Sequence, residues 1–150
     1  MRRVIVLVLV VLGVGFLAIQ VVPYGRAHAN PAVVSEPQWD SPRTRELAVR
    51  ACFDCHSNET VWPWYSNVAP VSWLVQQHTE EGRGVLNFSR WDLPQRGARK
   101  AAEQVQEGAM PPPYYTPLHA SGRLSEGERA ELIAGLQATL GQGERGTGRP

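Results

Sequence analysis

Cys52-Phe53-Asp54-Cys55-His56 follows the run Ser41-Pro42-Arg43-Thr44-Arg45-Glu46-Leu47-Ala48-Val49-Arg50-Ala51, which reads as one short helix. Ser41 is suited to cap the free first-turn amides, and Pro42 brings a preset helical φ to the first position. Leu47, Ala48 and Ala51 then fall on one inward face. The pentapeptide holds both cysteines of the chain, and its C-x-x-C-H spacing is that of c-type haem attachment. Two thiols three residues apart at a helix end can reach the two vinyl groups along one porphyrin edge. The adjoining imidazole is then held beneath the iron. One covalently attached haem c is therefore expected, tethered by Cys52 and Cys55, with His56 as proximal iron ligand. Three other uses of the motif fit less well. A thioredoxin-type dithiol lacks a surrounding βαβ pattern. Zinc would need four ligands, and no second Cys pair or H-x₃₋₅-H run is present. A disulfide between cysteines this close would close a loop too small to stabilise much.

A second axial ligand is sought next. Apart from Met1 the only methionine is Met110, in Gly108-Ala109-Met110-Pro111-Pro112-Pro113. A thioether favours ferrous iron and raises the potential, and prolines beside it reduce the entropy lost when the loop is held in place. Met110 lies outside any helical stripe, which argues against a simple core gap-filler. Met110 is expected as distal ligand, with His119 as the rival. His78 reads as a packed or surface histidine, and His28 as a partner for a propionate or the loop backbone. Trp62, Trp64 and Tyr65 are candidates to wall the cofactor, and Asn87, Ser89, Arg90 and Trp91 to reach its propionates. Glu80, Glu81 and Arg83 read as a solvated helix end.

Elsewhere the pattern is helical. Val71, Leu74, Val75 and His78 recur at helical spacing, with Gly82 or Gly84 as the expected stop. A further helix is expected from about Pro94 to Glu107, ended by Gly108. Ser125 and Glu128 make a capping box ahead of the stripe Leu132, Ile133, Leu136 and Leu140. No alternating strand run appears, so the fold class is all-α: a small cytochrome c-like helical domain around one haem, with long Pro/aromatic loops. Its apolar faces are thin for about 110 folded residues, and four of the five tryptophans lie in the linker or loops. A large apolar cofactor would supply the missing interior.

The N-terminus differs from the rest. Val4–Val22 (VIVLVLVVLGVGFLAIQVV) has Gln20 as its only polar side chain and, at about 1.5 Å per residue, nearly spans a hydrocarbon core of roughly 30 Å. Arg2 and Arg3 precede it, which keeps the N-terminus cytoplasmic and exports the remainder of the chain. An uncleaved anchor is favoured by length, since signal cores run about 7–15 apolar residues. The alternative is secretion after cleavage near Ala29, in Ala27-His28-Ala29. Residues 1–22 thus read as anchor or signal, 23–41 as a Pro-rich linker or strap, 42–140 as the haem-binding domain and 141–150 as a disordered tail. The chain has 150 residues, 43% hydrophobic and 19% charged, with 15 Lys+Arg against 14 Asp+Glu. Setting Arg2 and Arg3 aside leaves the acidic residues in a majority of one. That balance gives no electrostatic footprint for nucleic acid, and no nucleic-acid partner is expected.

Motifs recurring in order along residues 23–140 resemble the haem-binding domain family. They are Pro23-Tyr24-Gly25-Arg26, Asn30-Pro31, Ala51 through Thr60, Trp62-Pro63-Trp64-Tyr65-Ser66, Ala69-Pro70-Val71-Ser72-Trp73-Leu74, Asn87-Phe88-Ser89, Met110-Pro111-Pro112, Leu118-His119 and Leu124-Ser125. The resemblance implies a small membrane-anchored monohaem c-type cytochrome. The family's attachment residues carry over to Cys52, Cys55 and His56, and its Met-Pro-Pro element to Met110. The expected role is non-enzymatic: single-electron transfer on the periplasmic side of a bacterial inner membrane, between redox partner proteins. Two rivals are a haem-based gas or redox sensor or peroxidase-like protein, and a cytochrome subunit of a larger respiratory complex.

Overall fold

The computed structural model describes residues 1–141; the expected tail therefore lies, but for Gly141, outside the described residues. The described chain is helical, and its only β-pairing among those residues is a single parallel bridge between Ser35 and Arg90. An apolar helix, α1 (Arg2–Ile19), has no buried residue and is long and apolar enough to cross a membrane. Next comes α2 (Pro42–Ala51), with Ser41 accepting from the Thr44 amide and Pro42 in the first turn. A single helical turn, α3 (Phe53–His56), comes directly after it. The remaining helices are α4 (Val71–Val85), α5 (Ala101–Gln106) and α6 (Glu126–Leu140).

The core forms where α2 crosses α6. Leu47, Ala48 and Ala51 meet Leu132 and Leu136, with Phe53, Leu86, Phe88 and Val105 around them. The crossing is close because α6 presents Gly135 to Thr44; a Cβ there would overlap the threonine side chain. Ile133 and Leu140 pack at the margin, and the Ser125–Glu128 capping box is made in both directions. Trp39 and Trp91 extend this core by packing on Phe88, at ring centroid separations of 5.2 and 6.3 Å. Two loop tryptophans thus do core work.

Two helix boundaries differ from expectation. The segment from Pro94 is not helical; a 3₁₀ turn at Ala98–Lys100 leads into the six residues of α5. Gln95 is used instead to shape the preceding loop, accepting from the Asn87 amide and donating to the Arg90 and Leu93 carbonyls. Gly97 sits where a Cβ would press on Val85. Conversely, α4 runs through Gly82 and Gly84 to Val85. Glycine at 82 serves a close approach to the Cys55 backbone, where a Cβ would collide with the carbonyl oxygen, so it permits contact rather than ending the helix.

Residues 23–41 turn at Tyr24–Gly25 and then run without helix along the Asn58 and Ser89 loops. Val34 donates to the Ser89 carbonyl (3.0 Å), and the Asn58 side chain donates to the Ala32 carbonyl (3.0 Å).

Candidate functional site

The site is built at the junction of α2 and α3. Cys52 leaves helical geometry (φ −127°, ψ −35°), yet its carbonyl accepts from the amides of Cys55 (3.1 Å) and His56 (2.9 Å). That one closed turn sets the two cysteines three residues apart on one side. Cys52, Cys55, His56 and Met110 line a single cavity of about 230 Å³. A second cavity of about 150 Å³ adjoins it and shares Asp54, Cys55, His78, Tyr114 and Tyr115. Its far wall is Val71, Leu74 and Val75 of α4 with Leu118. The α4 stripe therefore faces this cleft and not the core, and Leu74 stays 50% exposed.

His56 is the most constrained residue there. Its Nδ1 lies 3.0 Å from both the Gly82 and the Leu86 carbonyl oxygens. Two acceptors assign the proton to Nδ1, which leaves the lone pair on Nε2, and among the described residues no hydrogen bond engages Nε2. Burial pushes the imidazole pKa down, with the two carbonyls opposing, so the ring is held neutral. A neutral ring with its tautomer set by a backbone carbonyl is the form in which histidine binds metal.

The loop beneath His56 is fastened to the motif bond by bond. Phe88 donates to the His56 carbonyl (2.8 Å), and the Asn58 amide donates to Ser89 Oγ (2.9 Å). Asn87 Nδ2 donates to Asn58 Oδ1 (2.9 Å), and Asn87 Oδ1 accepts from the Ser89 amide. Asn87 and Ser89, expected to reach the propionates, are buried and hold the motif in place, whereas Arg90 has Asp92 as its partner. Arg83 is likewise no solvated helix end: it donates to the Ser57 carbonyl (2.7 Å), the Ala29 carbonyl, Asn30 Oδ1 and Thr60 Oγ1.

Cys52 and Cys55 form no disulfide. Burial pushes Cys52 up to about 12 and, with Asp54 beside it, Cys55 up to about 11. Dithiol redox proteins instead lower a cysteine pKa to make thiolate. Among the described residues no group of three or more His, Cys, Asp or Glu is placed to hold a metal ion by itself.

Met110 reaches the same cavity from the opposite sequence direction. Gly108 closes α5 at φ +73°, a left-handed cap suited to glycine. The Ala109 and Met110 amides both donate to the Gln104 carbonyl (3.0 Å each), turning the chain inward. Met110 is half-buried and packs on the core margin.

The histidines separate by what their nitrogens do. His119 Nδ1 bonds the Tyr115 carbonyl and Nε2 the Tyr65 hydroxyl, both at 3.0 Å, with its ring stacked on Tyr115 at 3.9 Å. Both nitrogens are occupied. His28 bonds Ser66 and stacks on Trp62, which is the loop-backbone role among its two expected ones. His78 lies at the edge of both cavities, its Nδ1 3.5 Å from the Tyr114 hydroxyl. Of the expected wall residues Tyr65 lines the cleft, whereas Trp62 covers His28 and Trp64 is 79% exposed.

One pair was missed from sequence. The Tyr115 hydroxyl donates to Asp54 Oδ2 at 2.6 Å, joining the Met110 loop to the residue between the cysteines. No local pattern signals a partnership across this separation.

Taken together, these residues fit a haem: two sulfurs on one edge, a neutral imidazole with a free lone pair, a thioether, and apolar walls. A family model described as "Haem-binding domain" matches residues 14–138. No curated protein and no solved structure matches the chain.

Proposed function

Because this chain belongs to the haem-binding domain family, we propose that it is a monohaem c-type cytochrome carrying single electrons at the extracytoplasmic face of the membrane. The observation that carries this reading is His56, its Nδ1 bound by two carbonyls and its Nε2 free in a cavity shared with Cys52, Cys55 and Met110.

When bound, haem supplies a reversible one-electron iron couple. Cys52 and Cys55 would tether it by thioether bonds, which prevents loss from a small domain. His56 would be the proximal ligand, oriented by the Gly82 and Leu86 carbonyls. Met110 would supply the distal thioether. His119 suits that position less well, because binding iron through either nitrogen would break a hydrogen bond to Tyr65 or Tyr115. Val71, Leu74, Val75 and Leu118 would exclude water from one face, and a dry, neutral ligand set raises the reduction potential. With His56 and Met110 both committed, no position is left for a substrate, which favours electron transfer over enzymatic turnover. The partners would be protein donors and acceptors of electrons. Arg2 and Arg3 before α1 would hold the N-terminus in the cytoplasm and place the domain on the periplasmic side of a bacterial inner membrane.

Absorption spectra of protein matured in a host with haem-attachment machinery test the reading. Thioether linkage predicts colour that survives acid-acetone extraction. Methionine ligation predicts a far-red sulfur-to-iron band in the oxidised protein that is lost in Met110→Ala. Colourless protein with two free thiols would overturn the proposal.

A further inference from the structure

The chain does not leave α1 for solvent. Gln20, the one polar side chain between Val4 and Val22, is paired with the backbone of Ala69: Nε2 donates to the Ala69 carbonyl (2.9 Å), and Oε1 accepts from the Ala69 amide (3.0 Å). Arg26 donates to the same Oε1 (2.9 Å). Gly25, at φ +80°, passes so close to the Ser72 carbonyl of α4 that a Cβ has no room. Tyr24 donates to Glu80 (3.0 Å), His28 bonds Ser66, and Asn30 donates to the Thr60 carbonyl (2.9 Å). Residues 20–30 are thus joined repeatedly to the segment from Thr60 to Arg83. The family match begins at residue 14, inside α1, so the shared unit includes this junction.

Composition adds an independent observation. From Val61 to Thr79 there is no charged side chain, in a chain that is 19% charged, and the stretch holds Trp62, Trp64 and Trp73 of its five tryptophans. Trp64 is 79% exposed, in the 3₁₀ turn Trp64–Asn67 that ends two residues before Ala69. On the α1 side Val21 is 81% and Val22 41% exposed. Ala69 is held by Gln20, so the segment that exposes Trp64 is joined to the end of α1 that exposes Val21 and Val22.

We propose that the Trp64–Asn67 turn, with Val21 and Val22, rests in the headgroup layer of the outer leaflet, and that Gln20 is the clip holding the domain in one orientation there. The inference rests on reading α1 as membrane-spanning, and it makes residues 20–30 a permanent part of the folded protein rather than the end of a cleaved leader. Three physical points support it. Indole rings favour the membrane–water interface. An uncharged surface avoids the cost of stripping water from ions at the lipid boundary. An amide at the end of a membrane helix is satisfied when Ala69 bonds both its nitrogen and its oxygen. Because α4 starts two residues after Ala69, the clip also sets how the cleft is turned relative to the bilayer.

The test uses the full-length holoprotein in nanodiscs of phosphatidylcholine and phosphatidylglycerol, with and without a nitroxide-headgroup lipid. Intact mass is expected to show the N-terminus retained. The Ala69 amide is expected to be protected from hydrogen exchange in the wild type and to exchange roughly tenfold faster in Gln20→Ala, the loss of about one hydrogen bond, with α6 amides unchanged. The Trp64 indole signal is expected to broaden with the nitroxide lipid. A mature N-terminus at Asn30, an Ala69 amide indifferent to Gln20→Ala, or an unbroadened Trp64 would each overturn the inference. None of these readouts uses haem. A coloured, trimmed protein sinks the clip and leaves the cytochrome reading; a colourless, retained and clipped protein does the reverse.

Discussion

Tyr115→Phe removes a single oxygen from the loop that carries Met110. In the wild type that hydroxyl donates to Asp54 Oδ2 at 2.6 Å, while Asp54 Oδ1 accepts from the Val61 amide at 2.9 Å. Asp54 is therefore fixed from one side and tethers the loop with the other. Burial, followed by this bond, pushes the Tyr115 pKa well up, so the hydroxyl stays a donor. A hydrogen bond to a charged group contributes about 1.5–3 kcal/mol. The low end applies here, because half-buried Asp54 keeps its Val61 partner and gains water in the variant. The phenyl ring of the variant would retain the stack on His119, now at 3.9 Å, so the tether is lost with little change in packing. About 1.4 kcal/mol corresponds to a tenfold rise in the population of the loop-open state. If Met110 is the distal ligand, opening of this loop is what frees the position opposite His56. Stopped-flow carbon monoxide binding to the reduced protein should then be roughly tenfold faster in Tyr115→Phe, with a weaker far-red band in the oxidised form. A rate equal to wild type would refute the tether, and a wild type without the far-red band would refute Met110 itself.

Three further outcomes are expected. Gly82→Ala forces a Cβ against the Cys55 carbonyl while displacing the Gly82 carbonyl from His56; overpacking of this kind costs about 1–3 kcal/mol, read as a lower urea midpoint and poorer haem loading, and a variant as stable as wild type would contradict the close approach. His119→Ala should keep the far-red band, since its nitrogens serve Tyr65 and Tyr115; loss of the band on substitution would transfer the ligand role to His119. Glu128 is held down to about 2 by Arg50 and the Ser125 amide, against an ordinary value near 4.5. A depressed carboxylate adds stability that is present above its unfolded pKa and lost as pH falls through the folded one. Thermal stability should therefore decline from about pH 4.5 towards 2 less steeply in Glu128→Gln than in wild type, and parallel curves would exclude the contribution.

Helices with both a cap and a stripe were legible in the sequence. Ser41-Pro42 and Ser125 with Glu128 are local chemistry, and Leu47, Ala48, Leu132 and Leu136 recur at helical spacing; all four are buried. The segment from Pro94 was not legible, because what stops a helix there is Gln95 bonding three backbone groups of the preceding loop, a tertiary arrangement. Gly82 misled for a related reason. A glycine inside a helical pattern reads as a stop when its true partner, Cys55, is distant in sequence. The motif residues and Met110 were readable because their chemistry is rare in this chain. Their supports, Tyr115, Arg83 and the Asn58–Asn87–Ser89 network, act through bonds between residues far apart, and nothing in their neighbours marks them.

The α4 stripe joins the thin core to the site. Periodicity shows that one face of a helix is to be covered, and is silent about what covers it. Val71, Leu74, Val75 and His78 have the spacing of a core face, yet they border a cleft whose opposite side carries Asp54, Cys55 and Tyr115. Had the stripe met α2 or α6, the core would have been ample and Cys52, Cys55 and His56 would have faced protein. Turned as it is, α4 touches the motif only at its C-terminal end, where Gly82 admits the Cys55 backbone and lends its carbonyl to His56. The scarcity of large aliphatic residues in the core and the free Nε2 of His56 are therefore two consequences of one packing choice. A helix is held away from the core at one end and pinned to the motif at the other, and the space between them is largely apolar, lined with sulfur, and bordered by the His56 imidazole with its Nδ1 fixed by two carbonyls.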